Sequence, residues 1–307
     1  MKIGVAVLLM VVLAGCGGGT PTTGGKGGKT IAYVGYSSSA PFWIVVKNGA
    51  EAAAKERGAT LLDLSFAKPD IQKQHEGIEN AVLQRVDGLI VGAVDSRGLA
   101  APLKKAHEAK IPVVTVDTRV PDDKVLCHIA TDNVNAAKLA GEYIAKRLNN
   151  KGKVLLLGGQ PGSQTADDRQ KGVEDVLKAK GMEVIFRPAD WDEAKANEIA
   201  QNELGANADL GAIFAACDPM IITAKQAVKA QGKLGKIVLV GFDAIEACLT
   251  AIKNGEVDAT IRQDPYRMGY EGVMRMLDHL EGKEIPKDVP IQAEVIDKSN
   301  VDKFLGK

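Results

Sequence analysis

From Thr30 onward the sequence repeats one pattern: a short run of β-branched and apolar residues, a turn, then a stretch with helical spacing. The first runs are TIAYVGY from Thr30, TLLDLS from Thr60, DGLIVGAV from Asp87 and IPVVTVD from Ile111. The alternation resumes with GKVLLLGG from Gly152, MEVIFRP from Met182, LGAIFAA from Leu210, KIVLVGFD from Lys236 and VDATIRQD from Val257. Between them lie segments such as NGAEAAAKERG, whose small and apolar residues share one helical face and which stops at Gly58. Another is DPMIITAKQAVKAQG from Asp218. Strands that alternate with helices predict βαβ units and parallel sheets buried on both faces. One sheet of this many strands would be large, so a chain of 307 residues is expected to form two α/β domains. The join is expected near HIATDN, His128 to Asn133.

The ends and the charge narrow the function. Acidic and basic residues balance at 39 each, leaving no field to steer the chain onto nucleic acid or an anionic membrane. Lys2 precedes an apolar run from Ile3 to Leu13, then Ala14-Gly15-Cys16 and a Gly-rich tail. A basic start, a brief apolar core and small residues read as a secretory signal over residues 1–15, too short for a comfortable membrane span. Leu13-Ala14-Gly15-Cys16 resembles the lipobox of bacterial lipoproteins, which implies cleavage before Cys16 and lipidation of its thiol. Residues 16–29 would then be a lipid anchor and a Gly-rich tether. The expected location is extracytoplasmic, in a periplasm or cell envelope, at a membrane. Cys127, Cys217 and Cys248 remain, an odd number, so at least one is free in a monomer; whether Cys217 and Cys248 pair is open.

In open α/β sheets ligands bind beyond the carboxyl ends of the strands. The segments there carry Ser37 to Trp43, Asp95-Ser96-Arg97, Asp117-Thr118-Arg119, Gly159 to Asp168, Asp190-Trp191, Cys217-Asp218, Asp243 and Gln263. Aromatic residues are only 4% of the chain, yet both tryptophans fall in this set. Rings beside fixed hydrogen-bonding groups suit a small polar ligand with apolar C–H faces. No metal site, cofactor motif or catalytic group is expected. The four histidines are isolated, with His75 and His107 read as solvated, and GGQPGS from Gly158 lacks both phosphate-loop spacings. Cys217 has no histidine nearby in sequence and reads as an inert strand-end residue. GSQTADDRQKG, from Gly162, leaves two readings open. Asp167 and Asp168 offset a helix dipole with Ser163 as N-cap, or one of them faces a ligand.

Several stretches resemble the periplasmic sugar-binding proteins of ribose-type ABC importers, which have the type I binding-protein fold. They are APFWIVVKNGAEAAAKERG, IPVVTVD, HIATDNVNAAKLAGEYIAK, PADWDEAKANEIAQNEL, IVLVGFD and DATIRQDPYRMGYEGV, spanning nearly all of the chain after Lys29. The resemblance implies two doubly wound parallel-sheet lobes joined by a three-strand hinge. Lobe one would comprise residues 30–131 and 264–291, and lobe two residues 132–263 and 292–307. By the same resemblance Phe42 and Trp43 match the aromatic pair on one side of the sugar, and Trp191 the aromatic on the other. Asp117 and Asp243 match carboxylates that accept from hydroxyls, and Gln263 matches the hinge amide. Ala40, Thr118, Asp167 and Cys217 stand where ribose binders carry an asparagine, an arginine, a second arginine and a second asparagine, so ribose itself is not the expected ligand. Asp167 is expected on the cleft side, with Asp168 and Arg169 left to the helix surface or an internal pair; a pairing of the carboxylate with Arg262 or Arg119 competes.

The resemblance implies a monomer that binds a sugar, polyol or amino sugar and presents it to the permease and ATPase of an importer, with no bond chemistry. The alternative is presentation of the closed form to a receptor kinase or chemoreceptor. The fold is shared with sugar-responsive repressors, but an export signal stands where a DNA-binding headpiece would be.

Overall fold

The computed structural model describes residues 28–306, so the expected signal peptide, Cys16 and all of the expected tether but Gly28 and Lys29 lie outside the described residues. The chain builds β1 (Thr30–Val34), α1 (Pro41–Glu56), β2 (Thr60–Asp63), α2 (Ile71–Leu83), β3 (Gly88–Val91), α3 (Ala100–Glu108), β4 (Val113–Val116) and β5 (Cys127–Thr131). It continues with α4 (Asn133–Arg147), β6 (Lys153–Gly158), α5 (Gln164–Ala179), β7 (Glu183–Pro188), α6 (Glu193–Ala206), β8 (Leu210–Ala215) and α7 (Asp218–Ala230). The last elements are β9 (Val238–Asp243), α8 (Glu246–Lys253), β10 (Ala259–Arg262), α9 (Pro265–Leu280), β11 (Asp288–Ile291) and β12 (Glu294–Asp297).

Two six-stranded sheets result, ordered β11-β5-β4-β3-β1-β2 and β12-β10-β9-β8-β6-β7. The fold is therefore α/β with two lobes, as the alternation of runs requires. All strand pairs are parallel except β12 with β10, which is antiparallel. Central strands β3 and β4 are buried at every position, because helices cover both faces of the sheet. The alternation did not reveal three strands: β5 and β12 each follow a strand with no helix between, and β11 follows α9 but joins a different sheet from β10.

The chain crosses between sheets three times: after β5, after β10, and between β11 and β12. Helix α9, distant in sequence, returns to the first sheet by packing on α1. Glycines make the contact possible. A Cβ on Gly49 would lie 2.0 Å from the Tyr266 carbonyl oxygen, and one on Gly269 would lie 1.8 Å from that of Val46. The two backbones approach more closely than any side chain would allow. The second lobe repeats the device between α4 and α5, where a Cβ on Gly172 would meet the Val134 carbonyl oxygen at 2.4 Å.

Candidate functional site

Residues beyond the carboxyl ends of β1, β4, β7, β8, β9 and β10 line a cavity of about 500 Å³ between the lobes. Tyr36, Phe42 and Trp43 come from the first lobe. Tyr36 stacks on Trp43 at 5.7 Å between centroids, and Phe42 meets Trp43 edge-on at 5.4 Å. The Trp43 ring covers Gly92 so closely that a Cβ there would lie 2.2 Å from it, and only 6% of the residue is exposed. Trp43 is thus core first and cavity wall second. Trp191 faces them from the second lobe. Asp190 and Trp191 both have positive φ, 56° and 61°, and the indole folds over Gly159, where a Cβ would lie 2.1 Å from the ring. Asp192 then caps α6 by accepting from the Lys195 amide at 2.8 Å.

The floor is polar and sits at the crossings. Gln263 accepts from Thr131 Oγ1 at 2.7 Å and donates to Asp243 Oδ1 at 2.6 Å, so one amide ties two crossings to a cavity carboxylate. Asp243 and Ala244 have φ of 125° and 60°. The fully buried Asp218, behind the floor, holds this strained turn by accepting from the Ile245 amide at 2.9 Å and from Thr260 Oγ1 at 2.7 Å. Burial pushes the Asp218 and Asp243 carboxyls above the usual carboxylate range. Asp117, also at positive φ and 8% exposed, accepts from Thr118 Oγ1 at 3.1 Å. Burial raises its carboxyl too, against the pull of Arg169. Thr118 Oγ1 is 3.2 Å from Thr165 Oγ1 of the other lobe, and the Gln164 amide donates to Ser96 Oγ at 3.1 Å. The lobes therefore touch beside the cavity.

A cleft between two parallel-sheet lobes, with rings on both sides and a floor of carboxylates and an amide, can hold a small molecule that has both apolar faces and polar groups. The sequence profile of the family described as "Periplasmic binding protein domain" matches residues 31–284. The chain belongs to this periplasmic binding protein family. It is 33% identical to the ribose import binding protein of Haemophilus influenzae over 268 residues, 87% of this chain and 91% of that one. An ABC transporter solute-binding protein from Agrobacterium vitis, solved with α-D-tagatopyranose, superposes with a TM-score of 0.86 at 30% identity, covering 90% of this chain and 99% of the other. One from Bacillus halodurans with bound myo-inositol gives 0.85 at 25% identity, covering 92% and 99%. The chain is accordingly a solute-binding protein rather than an enzyme, and the family's place is outside the cytoplasm.

Within this periplasmic binding protein, Phe42, Trp43, Asp117, Thr118, Trp191, Cys217, Asp243 and Gln263 all line the one cavity. Asp167 does not. It is exposed in the first turn of α5, and Arg169 takes the cavity wall instead, 3% exposed. Two residues along a helix turn the side chain by about 200°, so the two cannot share a face. Arg169 donates from Nε to Asn133 Oδ1 at 2.8 Å and from Nη1 to the Ala216 carbonyl at 2.7 Å, and lies 3.8 Å over the Phe242 ring. Arg262 pairs with Glu294 and Arg119 with Asp288, so neither is the partner of Asp167. Ser163 occupies the N-cap position of α5, yet its side chain makes no capping bond and is buried against the cavity.

Tyr36 and Arg169 lie outside the segments expected to face a ligand, and Thr165 lies within one of them without having been singled out, yet all three line the cavity. Arg169 had a signal: a single arginine in the first turns of a helix that follows a central strand. Cys127, Cys217 and Cys248 are free thiols, and burial pushes all three upward, which leaves Cys217 an unreactive part of the wall. The histidines differ from the expectation: His75 bonds the Gly98 carbonyl at 2.8 Å and His107 bonds Asp122 at 2.9 Å, so neither is simply solvated.

Proposed function

We propose that this protein captures a small sugar or sugar-like molecule, a monosaccharide, polyol or amino sugar, between its lobes and delivers it to the permease and ATPase of an ABC importer. The observation that carries the reading is the cavity itself: rings from both lobes above a floor of Asp117, Asp243, Arg169 and Gln263. Rings suit the apolar C–H faces of a pyranose, and carboxylates accept from its hydroxyls. The closing units are residues 30–131 with 264–291 and residues 132–263 with 292–307, and Phe42, Trp43, Trp191, Asp117, Thr118, Cys217, Asp243 and Gln263 contact the ligand. Binding to both lobes favours the closed state over the open one, and the permease reads that difference. Delivery at a membrane is served by the lipid on Cys16, and the working unit is a monomer.

A thermal-shift screen of the purified protein against pentoses, hexoses, polyols and amino sugars tests the ligand class. A saturable rise in Tm with at least one of them is expected; none with any would remove the sugar reading. Metabolic labelling with a fatty-acid analogue should mark the wild type and not Cys16→Ser. Equal labelling of both would remove the lipoprotein reading.

A further inference from the structure

We infer that the molecule held in this cleft carries a positive charge, as a protonated amine on a small polyhydroxylated skeleton. The inference rests on the cleft being a sugar-type site and names the ligand chemistry within it. Five carboxylates, Asp117, Asp190, Asp192, Glu193 and Asp243, line the cavity against two cations, Lys68 and Arg169. Asp190 has its own partner in Lys195 at 2.6 Å, and Asp192 is spent on its helix cap. The floor pair has less. Asp117 is 8% exposed and the Asp243 side chain 9%, and each carboxylate accepts from a single neutral donor, Thr118 Oγ1 and Gln263 Nε2 respectively. The second oxygen of each has no donor among the described residues.

Arg169 does not make up the deficit. Two of its donors are committed to Asn133 and to the Ala216 carbonyl, and its Nη1 stands 3.6 Å from Asp243, beyond a hydrogen bond. One guanidinium thus faces two buried carboxylates. A neutral sugar would bring hydroxyl donors but no charge, so with both carboxylates ionised one negative charge beneath the ligand would have no cation opposite it, and an unpaired charge shielded from water is costly. An ammonium brings three donors and the missing charge together. The walls agree, since the faces of Tyr36, Phe42, Trp43 and Trp191 are electron-rich and attract cations. Burial raises the Asp243 carboxyl, with Asp218 and Asp117 adding to it and Arg169 opposing. A cation beside it would bring it back down.

Titration calorimetry of the purified protein near pH 7, where a hexosamine amine is still mostly protonated and the floor carboxylates are not driven neutral by added acid, separates charge from shape. The probes are D-glucosamine, D-galactosamine, D-mannosamine and an aminocyclitol, each with its neutral parent, and for the hexosamines the uncharged N-acetyl derivative. An amine is expected to bind at least tenfold more tightly than its parent and its N-acetyl form. That preference should weaken with added salt and fall at least tenfold in Asp243→Asn and Asp117→Asn. Thermal melts of the unliganded variants report whether they fold. Binding of a neutral parent as tight as that of its amine overturns the charge inference and leaves the sugar reading intact. Failure of every amine and every neutral parent overturns both.

Discussion

At the scale of single residues, the fold separates side chains that line the cavity from those that only lie near them in sequence. Asp167 is exposed and outside the cavity, so Asp167→Ala should leave affinity for the captured sugar within about twofold. Trp191→Ala, which removes a whole wall, should weaken it by roughly ten- to a hundredfold, since aromatic anchors at cavity centres carry about 2 kcal/mol or more. Calorimetry with the same ligand reads both, and comparable losses would put Asp167 back in the site. His128 tests the hinge region through pH. It is 7% exposed on β5, bonded to Thr115 Oγ1 at 2.9 Å, with Arg119 and Asp288 as its charged neighbours. Burial pulls its pKa from 6.5 down to about 3. Between those values the unfolded chain binds the proton and the folded one does not. Stability from the neutral ring is therefore present above about pH 6.5 and is lost as pH falls, by up to ~1.4 kcal/mol per unit. Buried Asp117, Asp218 and Asp243 are raised and act with the opposite sign, gaining stability as pH falls toward the ordinary carboxyl range. Comparison with His128→Gln isolates the histidine: the wild type should lose ground to the variant between pH 6.5 and 4 in urea denaturation. A flat difference would mean the ring is protonated in the fold.

At the scale of elements, closeness of backbones governs more than hydrophobic patterning. Helix α1 was readable from its small and apolar face, but its partner was not, because helical spacing says which face is buried and never against what. The partner is α9, and Gly49 and Gly269 set the distance. Gly269→Ala places a methyl against the rigid Val46 carbonyl, which cannot yield as a side-chain tip can. It should cost about 2–3 kcal/mol, the upper part of the usual overpacking range, in urea denaturation, and an unchanged midpoint would mean the helices separate freely. The same limit explains β11 and β12. Each is four residues long, buried at only one position, and added to a sheet edge by the crossings, so neither has the dense apolar run that marked β3 or β4.

At the scale of the whole molecule, the proposed capture is an equilibrium between lobe arrangements, and the contacts Thr118–Thr165 and Ser96–Gln164 belong to the arrangement seen here. A ligand that bridges the lobes stabilises the native chain by mass action. Once saturating, each tenfold rise in ligand should add about 1.4 kcal/mol to unfolding stability, measured as Tm against concentration. A plateau at saturation would mean that the unfolded chain binds as well. Much of this molecule could be read along the chain, because it depends on local order. Period-two and helical runs report strands and helices, and the strand ends report where polar and aromatic residues gather in a parallel α/β fold. That reasoning reached Asp117, Trp191, Asp243 and Gln263, each of which lines the cavity. It failed where the answer depends on rotation or on partners remote in sequence. Asp167 and Arg169 are two positions apart, and only the packed orientation of α5 chooses Arg169 for the cavity. Asp218 supports the Asp243 turn through a hydrogen bond to Thr260, 42 residues away. Periodicity carries no information about such a meeting; the close packing of the folded lobes brings it about.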